Sequence, residues 1–124
     1  MKAANWTRFT LEYGTLCHEV VVELDDRPET LDMLHEINNF CGPEVAQSNI
    51  NRHGNVRDAV LAQLCVKALH LSLTEWCAVE AFTKGNGQEG WPILDGRDGI
   101  RLVSVEPYYF EEGDVTIRKE GEDD

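Results

Sequence analysis

The 124-residue chain lacks an apolar run able to cross a bilayer. Its longest apolar region, Val56 to Leu73, is broken by Arg57, Asp58, Gln63, Lys67 and His70, whereas a span needs roughly 18 residues with few or no charges. The opening residues MKAANWTRF carry no apolar h-region, so the expectation is a soluble, cytoplasmic protein rather than an exported one. No Cys-x-x-Cys or His-x-x-x-His pair occurs, which removes the short ligand spacing of a zinc site. Cys65 and His70 are five apart and would project from different faces of a helix. No Gly-Lys-Ser/Thr follows a glycine-rich stretch, which excludes a P-loop. Internal repeats and interdomain linkers are also missing, so the chain reads as one domain, residues 1–119, with an acidic tail at 120–124.

Positive charge is scarce. Eleven Lys and Arg face 23 Asp and Glu, a formal net charge of −12. That balance opposes direct contact with nucleic acid or an anionic membrane and favours a basic protein partner, or serves solubility alone. The excess is uneven. From Glu106 to Asp124, eight acidic residues stand against Arg118 and Lys119, a net −6, which is half the total. The four cysteines, Cys17, Cys41, Cys65 and Cys77, read as reduced, since two of them lie inside apolar stretches and nothing points to secretion. Cys17 or Cys41 with a histidine base is a compositional option for a nucleophile, but any chain with four of each residue offers it. His35 and His70 read as surface or helix-packing residues. Neither catalysis nor a cofactor is expected.

The hydrophobic pattern predicts an α+β fold. Trp6 to Tyr13 and Leu16 to Leu24 read as an antiparallel hairpin turning at Gly14-Thr15. Pro28 opens a helix in which Leu31, Leu34, Ile37 and Phe40 follow helical spacing, ending near Cys41 before Gly42-Pro43. Glu44 to His53 is open between helical turn and loop. Asn55 caps the longest helix, in which Val56, Val60, Leu64 and Ala68 form one face, widened by Leu61, Cys65 and Leu69. Thr74 to Phe82 alternates Trp76, Ala78, Glu80 and Phe82 against the rest, which predicts a strand. Ile100 to Val105 is a strand, Tyr108 to Phe110 starts a return segment, and Val115 to Ile117 adds a short last strand. The predicted order is β-β-α-α-β-β, an antiparallel sheet of four or five strands with two helices on one face.

The loop at 84–99 contains GNGQEG, residues 85–90, a letter-for-letter Gly-x-Gly-x-x-Gly. That fingerprint works only between a strand and a helix whose N-terminus meets the pyrophosphate. Here Trp91-Pro92 and then ILDGRDG follow, with no helical period, and Glu89 would set a negative charge against phosphate. Asp95 and Asp98 suggest calcium, but Arg97 falls between them and the ligand spacing fails. The loop is expected to be a long β-β connection with turns at Asn86-Gly87 and Asp95-Gly96, packed down by Trp91. At this length it is also a candidate binding loop, with Trp91 as its anchor.

Three stretches, LHEINNF (34–40), GNVRDAVL (54–61) and NGQEGWPILDGRDGI (86–100), together resemble an uncharacterised family of small acidic proteins carried by bacteriophages, prophages and plasmids of proteobacteria. The resemblance implies an accessory protein of a mobile element in a bacterial host. It carries over no catalytic residues. In that setting the acidity suggests a non-enzymatic inhibitor of a host defence complex, of the anti-CRISPR type, filling a basic groove made for nucleic acid. The partner would be a CRISPR effector subunit or another defence nuclease. The candidate contacts are Glu106, Glu111, Glu112 and Asp114, with Glu89, Asp95, Asp98 and Trp91 from the loop. The alternative is a small adaptor or homodimeric accessory protein of replication or regulation.

Overall fold

The computed structural model describes residues 5–14, 18–107 and 112–119. In chain order the elements are β1 (Trp6–Tyr13), β2 (His18–Asp25), α1 (Pro28–Asn39), α2 (Pro43–His53), α3 (Val56–Ser72), α4 (Ala78–Thr83), β3 (Ile100–Val105) and a 3-10 turn at Glu112–Asp114. The fold is α+β as the pattern predicts, but with three strands and four helices among the described residues. The sheet runs β1-β2-β3, antiparallel throughout.

β2 is the central strand because its even residues are apolar. Val20, Val22 and Leu24 are buried and face the helices, while Glu19, Val21 and Glu23 face away from them. The same alternation holds in β1, where Phe9 and Leu11 pack on the core and Arg8, Thr10 and Glu12 point out. Opposite Val21 and Val22, β3 carries a bulge that gives it one extra residue. The Ile100–Leu102 stretch of the other edge of β3 is covered by its own approach loop. Leu102 N donates to Leu94 O at 3.0 Å, Gly96 N donates to Ile100 O at 3.0 Å, and Asp95 bridges Arg101.

α3 lies between the sheet and the other helices, packing on β1 and β3 on one side and on α1 and α2 on the other. This position explains why its apolar surface is broad. Val56, Ala59, Val60, Leu61, Leu64, Cys65, Ala68 and Leu69 are all buried. Asn55 caps it, Oδ1 accepting from Asp58 N at 2.8 Å. Pro28 opens α1, whose buried face is Thr30, Leu34, Ile37 and Asn38. Leu31 and Phe40 are exposed instead, because two polar residues with fixed partners take the core positions. Asn38 donates to Ala46 O at 3.1 Å and accepts from Gln63 and Asn49. Residues 44–53, open between helix and loop in the sequence, belong to helix α2.

Three expectations need correction. Residues 74–82 are not a strand. Thr74 to Cys77 form turns, and α4 follows. A strand would place Glu80 on the same face as Ala78 and Phe82. The helix instead buries Ala78 and Phe82, one turn apart, and leaves Glu80 and Trp76 in water. The 84–99 loop is consequently an α-to-β connection. Val115 to Ile117 is not a strand, and both residues are exposed. Residues 15–17, which include Thr15 of the expected turn and the expected start of the second strand, lie outside the described residues, as do the return segment at 108–110 and the tail at 120–124.

Candidate partner-binding surface

The predicted contact residues fall on two stretches of chain, one following β3 and one in the loop that precedes it. Glu106 directly follows β3. Its N–H donates to Glu19 O at 2.8 Å, and its Oε2 accepts from Glu19 N at 3.2 Å. Glu19 in turn stands directly opposite Glu12 of β1. Three glutamates therefore converge at one end of the outward face. Glu12 and Glu19 escaped the sequence reading. The hairpin register, fixed by the turn, is the signal that pairs them. Glu112 and Asp114 are exposed on the 3-10 turn further along the chain, and Glu111 lies outside the described residues.

Of the loop acids, Asp95 stands at the other end of β3. Arg101, which bridges Asp95, precedes Glu106 by five residues along β3, on the order of 16 Å at strand rise. Asp95 holds its own loop. Arg97 donates its backbone N–H to Oδ1 at 3.1 Å, and its guanidinium spans both carboxylate oxygens at 2.8–3.1 Å. Hydrogen bonds from Arg97 hold the Asp95 carboxyl below its usual range, and the same pairing raises Arg97. Asp98 is half-buried, and its charge adds to the field on Arg97. Glu89 is exposed. Trp91 is half-buried, its ring meeting Phe82 edge-on at 5.7 Å and 85°. GNGQEG lies in this loop, after a helix and with no helix following. At Gly90, φ is +84° and a Cβ would sit 2.9 Å from the Phe40 ring, so this glycine serves close packing.

The arginines of the sheet are engaged with its acids. Arg8 and Arg101 both bond Glu23, at 3.1 and 2.9 Å, and the Arg101 guanidinium stacks over Trp6 at 4.2 Å. Burial pushes the Glu23 carboxyl up, but the two arginines outweigh it and hold it low. Arg27 bonds Asp25 at 2.7 Å, and Arg57 pairs with Asp58 while lying over Phe9. In the helix layer, α1 carries exposed Glu29, Asp32 and Glu36 at helical spacing.

Asp25 has a different environment from the other acids. It is buried, accepts from the Thr30 hydroxyl and from Arg27 N and Nε, and its own N–H donates to Gly99 O at 2.9 Å. Burial raises its carboxyl, but the bonds from Thr30 and Arg27 prevail and lower it. Gly99, at φ +87°, has no room for a Cβ against Thr30 and Asp25. In the sequence this segment shows only as punctuation before α1. A cleft of about 350 Å³ opens beside it, between β1, β2 and α1; of its charged walls, Asp25 pairs with Arg27, Arg57 with Asp58, and Asp26 accepts from Asn5. Cys41 is exposed, Cys77 half-buried and Cys65 buried, with burial pushing the Cys65 thiol up. Among the described residues no three His, Cys, Asp or Glu side chains stand where they could hold a metal ion, and no helix is long and apolar enough to cross a membrane.

The comparisons with known proteins give a family and two phage-derived relatives. A family model described as "Protein of unknown function (DUF2528)" matches residues 19–117, from β2 to beyond the 3-10 turn. The chain is 32% identical to protein ea10 of Escherichia phage lambda, over 93% of this chain and 98% of that protein. It is equally similar to the lambda prophage-derived protein ea10 of Escherichia coli O6:H1, strain CFT073. No solved structure matches significantly. The chain thus belongs to the DUF2528 family of unknown function and is similar over nearly its whole length to lambda phage and prophage proteins.

Proposed function

We propose that the protein is a non-enzymatic accessory protein of a mobile genetic element that binds a basic host partner through its acidic surface. The partner class that fits best is a nucleic-acid-binding defence complex, with a CRISPR effector foremost. The observation that carries this reading is the segregation of charge. The sheet's arginines are tied to Glu23 and Asp25, while Glu12, Glu19 and Glu106 converge without an arginine between them. Such a surface competes for a groove built to bind phosphates, with long-range steering and strong salt dependence. Glu106, Glu111, Glu112 and Asp114 are the principal contacts, Glu89 and Asp98 are secondary, and the exposed part of Trp91 supplies an apolar contact. Asp95 contributes by holding the loop.

The test is a pulldown of tagged protein from a host extract containing CRISPR effectors, eluted in steps of salt. Recovery of an effector subunit released at moderate salt supports the reading. The triple reversal Glu111→Lys, Glu112→Lys and Asp114→Lys is expected to weaken capture and flatten its salt dependence. Affinity that is unchanged by the reversal at every salt concentration rules out the electrostatic mechanism.

A further inference from the structure

β1 is an outer strand, and among the described residues no strand lies beyond it. Alternation settles which of its backbone groups face that open edge. Glu106 N donates to Glu19 O and Asp25 N to Gly99 O, so the odd residues of β2 aim their backbone groups at β3. Val20, Val22 and Leu24 therefore aim theirs at Leu11, Phe9 and Thr7 of β1. It follows that Trp6, Arg8, Thr10 and Glu12 direct N–H and C=O outward, away from the sheet.

We propose that this edge pairs antiparallel with the same edge of a second copy of the chain, about a two-fold axis through Thr10. In that register Arg8 stands opposite Glu12 of the second copy, and Glu12 opposite its Arg8. Thr10 faces itself. Each of these facing pairs exchanges two backbone hydrogen bonds. On the helix-covered face Phe9 meets Leu11 of the second copy, so the apolar layer continues across the junction. Tyr13, largely exposed in the single chain, comes beside Thr7 of the second copy.

Two features favour this occupant and this register. First, the strand is charge-complementary to its own reverse. An axis through Arg8 or Glu12 sets like charge against itself, whereas the axis through Thr10 sets both against opposite charge. Second, Glu12 and Glu19 are directly opposed within one chain, an arrangement that costs stability unless a cation joins it. Arg8 of the second copy would join them. The proposal stands apart from the reading of the acidic surface and survives the loss of that reading.

The experiment is sedimentation of the full chain over a wide concentration range at low salt. A mass moving from 14.0 kDa to twice that value is expected. Glu12→Lys and Arg8→Glu each place like charges across the junction and should weaken self-association roughly tenfold or more. Mixed one to one, the two variants restore both opposite pairs, and association should return. Thr10→Pro removes a donor that faces only the open edge, so it should give a monomer with an unchanged far-ultraviolet circular dichroism spectrum. A wild-type chain that stays at 14.0 kDa at every concentration overturns the proposal. So does a dimer indifferent to all three variants, or a mixture of folded monomeric variants that fails to associate.

Discussion

At one end of the sheet the Asp25 carboxylate is enclosed by Thr30, Arg27 and Gly99, with its partners supplied by the chain itself. At the other end Glu12, Glu19 and Glu106 face water and one another. Both groups sit on or beside the same central strand, only a few residues apart. What separates them is what the flanking segments bring. Around Asp25 the chain offers the Arg27 guanidinium before α1, the Thr30 hydroxyl in its first turn and Gly99 before β3; after β3 it offers another carboxylate. The first end spends its acid on stability. The second leaves its acids exposed.

The contrast can be broken most strongly at Gly99. Gly99→Ala forces a side chain into a left-handed backbone position and against Thr30, and a loss on the order of 3–5 kcal/mol is expected. Urea unfolding measures it, and a wild-type midpoint would remove Gly99 from the account. Asp25→Asn keeps the shape but removes the charge. About 1.5–3 kcal/mol should be lost near neutral pH, read from the same unfolding curves.

That second loss carries a pH signature. The folded Asp25 carboxyl titrates below its unfolded value, so its contribution is present above the unfolded value and disappears as pH falls through the folded one. The gap between wild type and Asp25→Asn should therefore close in acid. A constant gap down to the acid transition would mean that the charge plays no part. The smallest effect belongs to the open end. Glu19→Thr relieves the opposition to Glu12 and keeps the backbone bonds to Glu106, so thermal unfolding at low protein concentration should show a gain of about 0.2–1 kcal/mol. A loss would show that the glutamates are not in conflict.

Much of the fold was legible because its patterns are local. β1 and β3 match their predicted bounds, and Pro28 and Asn55 mark the starts of α1 and α3. α4 was misread because a six-residue apolar segment fits either period. Burial decided it, since only a helix brings Ala78 and Phe82 inward while Glu80 remains outside. Leu31 and Phe40 were taken for core because hydrophobicity alone cannot show that Thr30 and Asn38 have better partners across the fold. The surface was less legible still. Glu106 could be singled out by its place in an acidic run, but its company with Glu12 and Glu19 depends on strand register over 87 residues of sequence. The pairing of Asp95 with Arg97 was within local reach, and it makes that acid a fastener for the loop.

The loop that covers β3 has a consequence for the size of any assembly. A chain with two bare strand edges can be extended from both sides without limit, like a monomer with two reactive groups. Leu94 to Gly96 already occupy the Ile100–Leu102 stretch of the β3 edge, so in the proposed pairing β1 is the reactive side and β3 a partly quenched one. Growth through β1 would then stop after a single step, because the new outer edges are both of the partly quenched kind. Opening that loop would change the reaction order, turning a self-limiting coupling into a polymerisation.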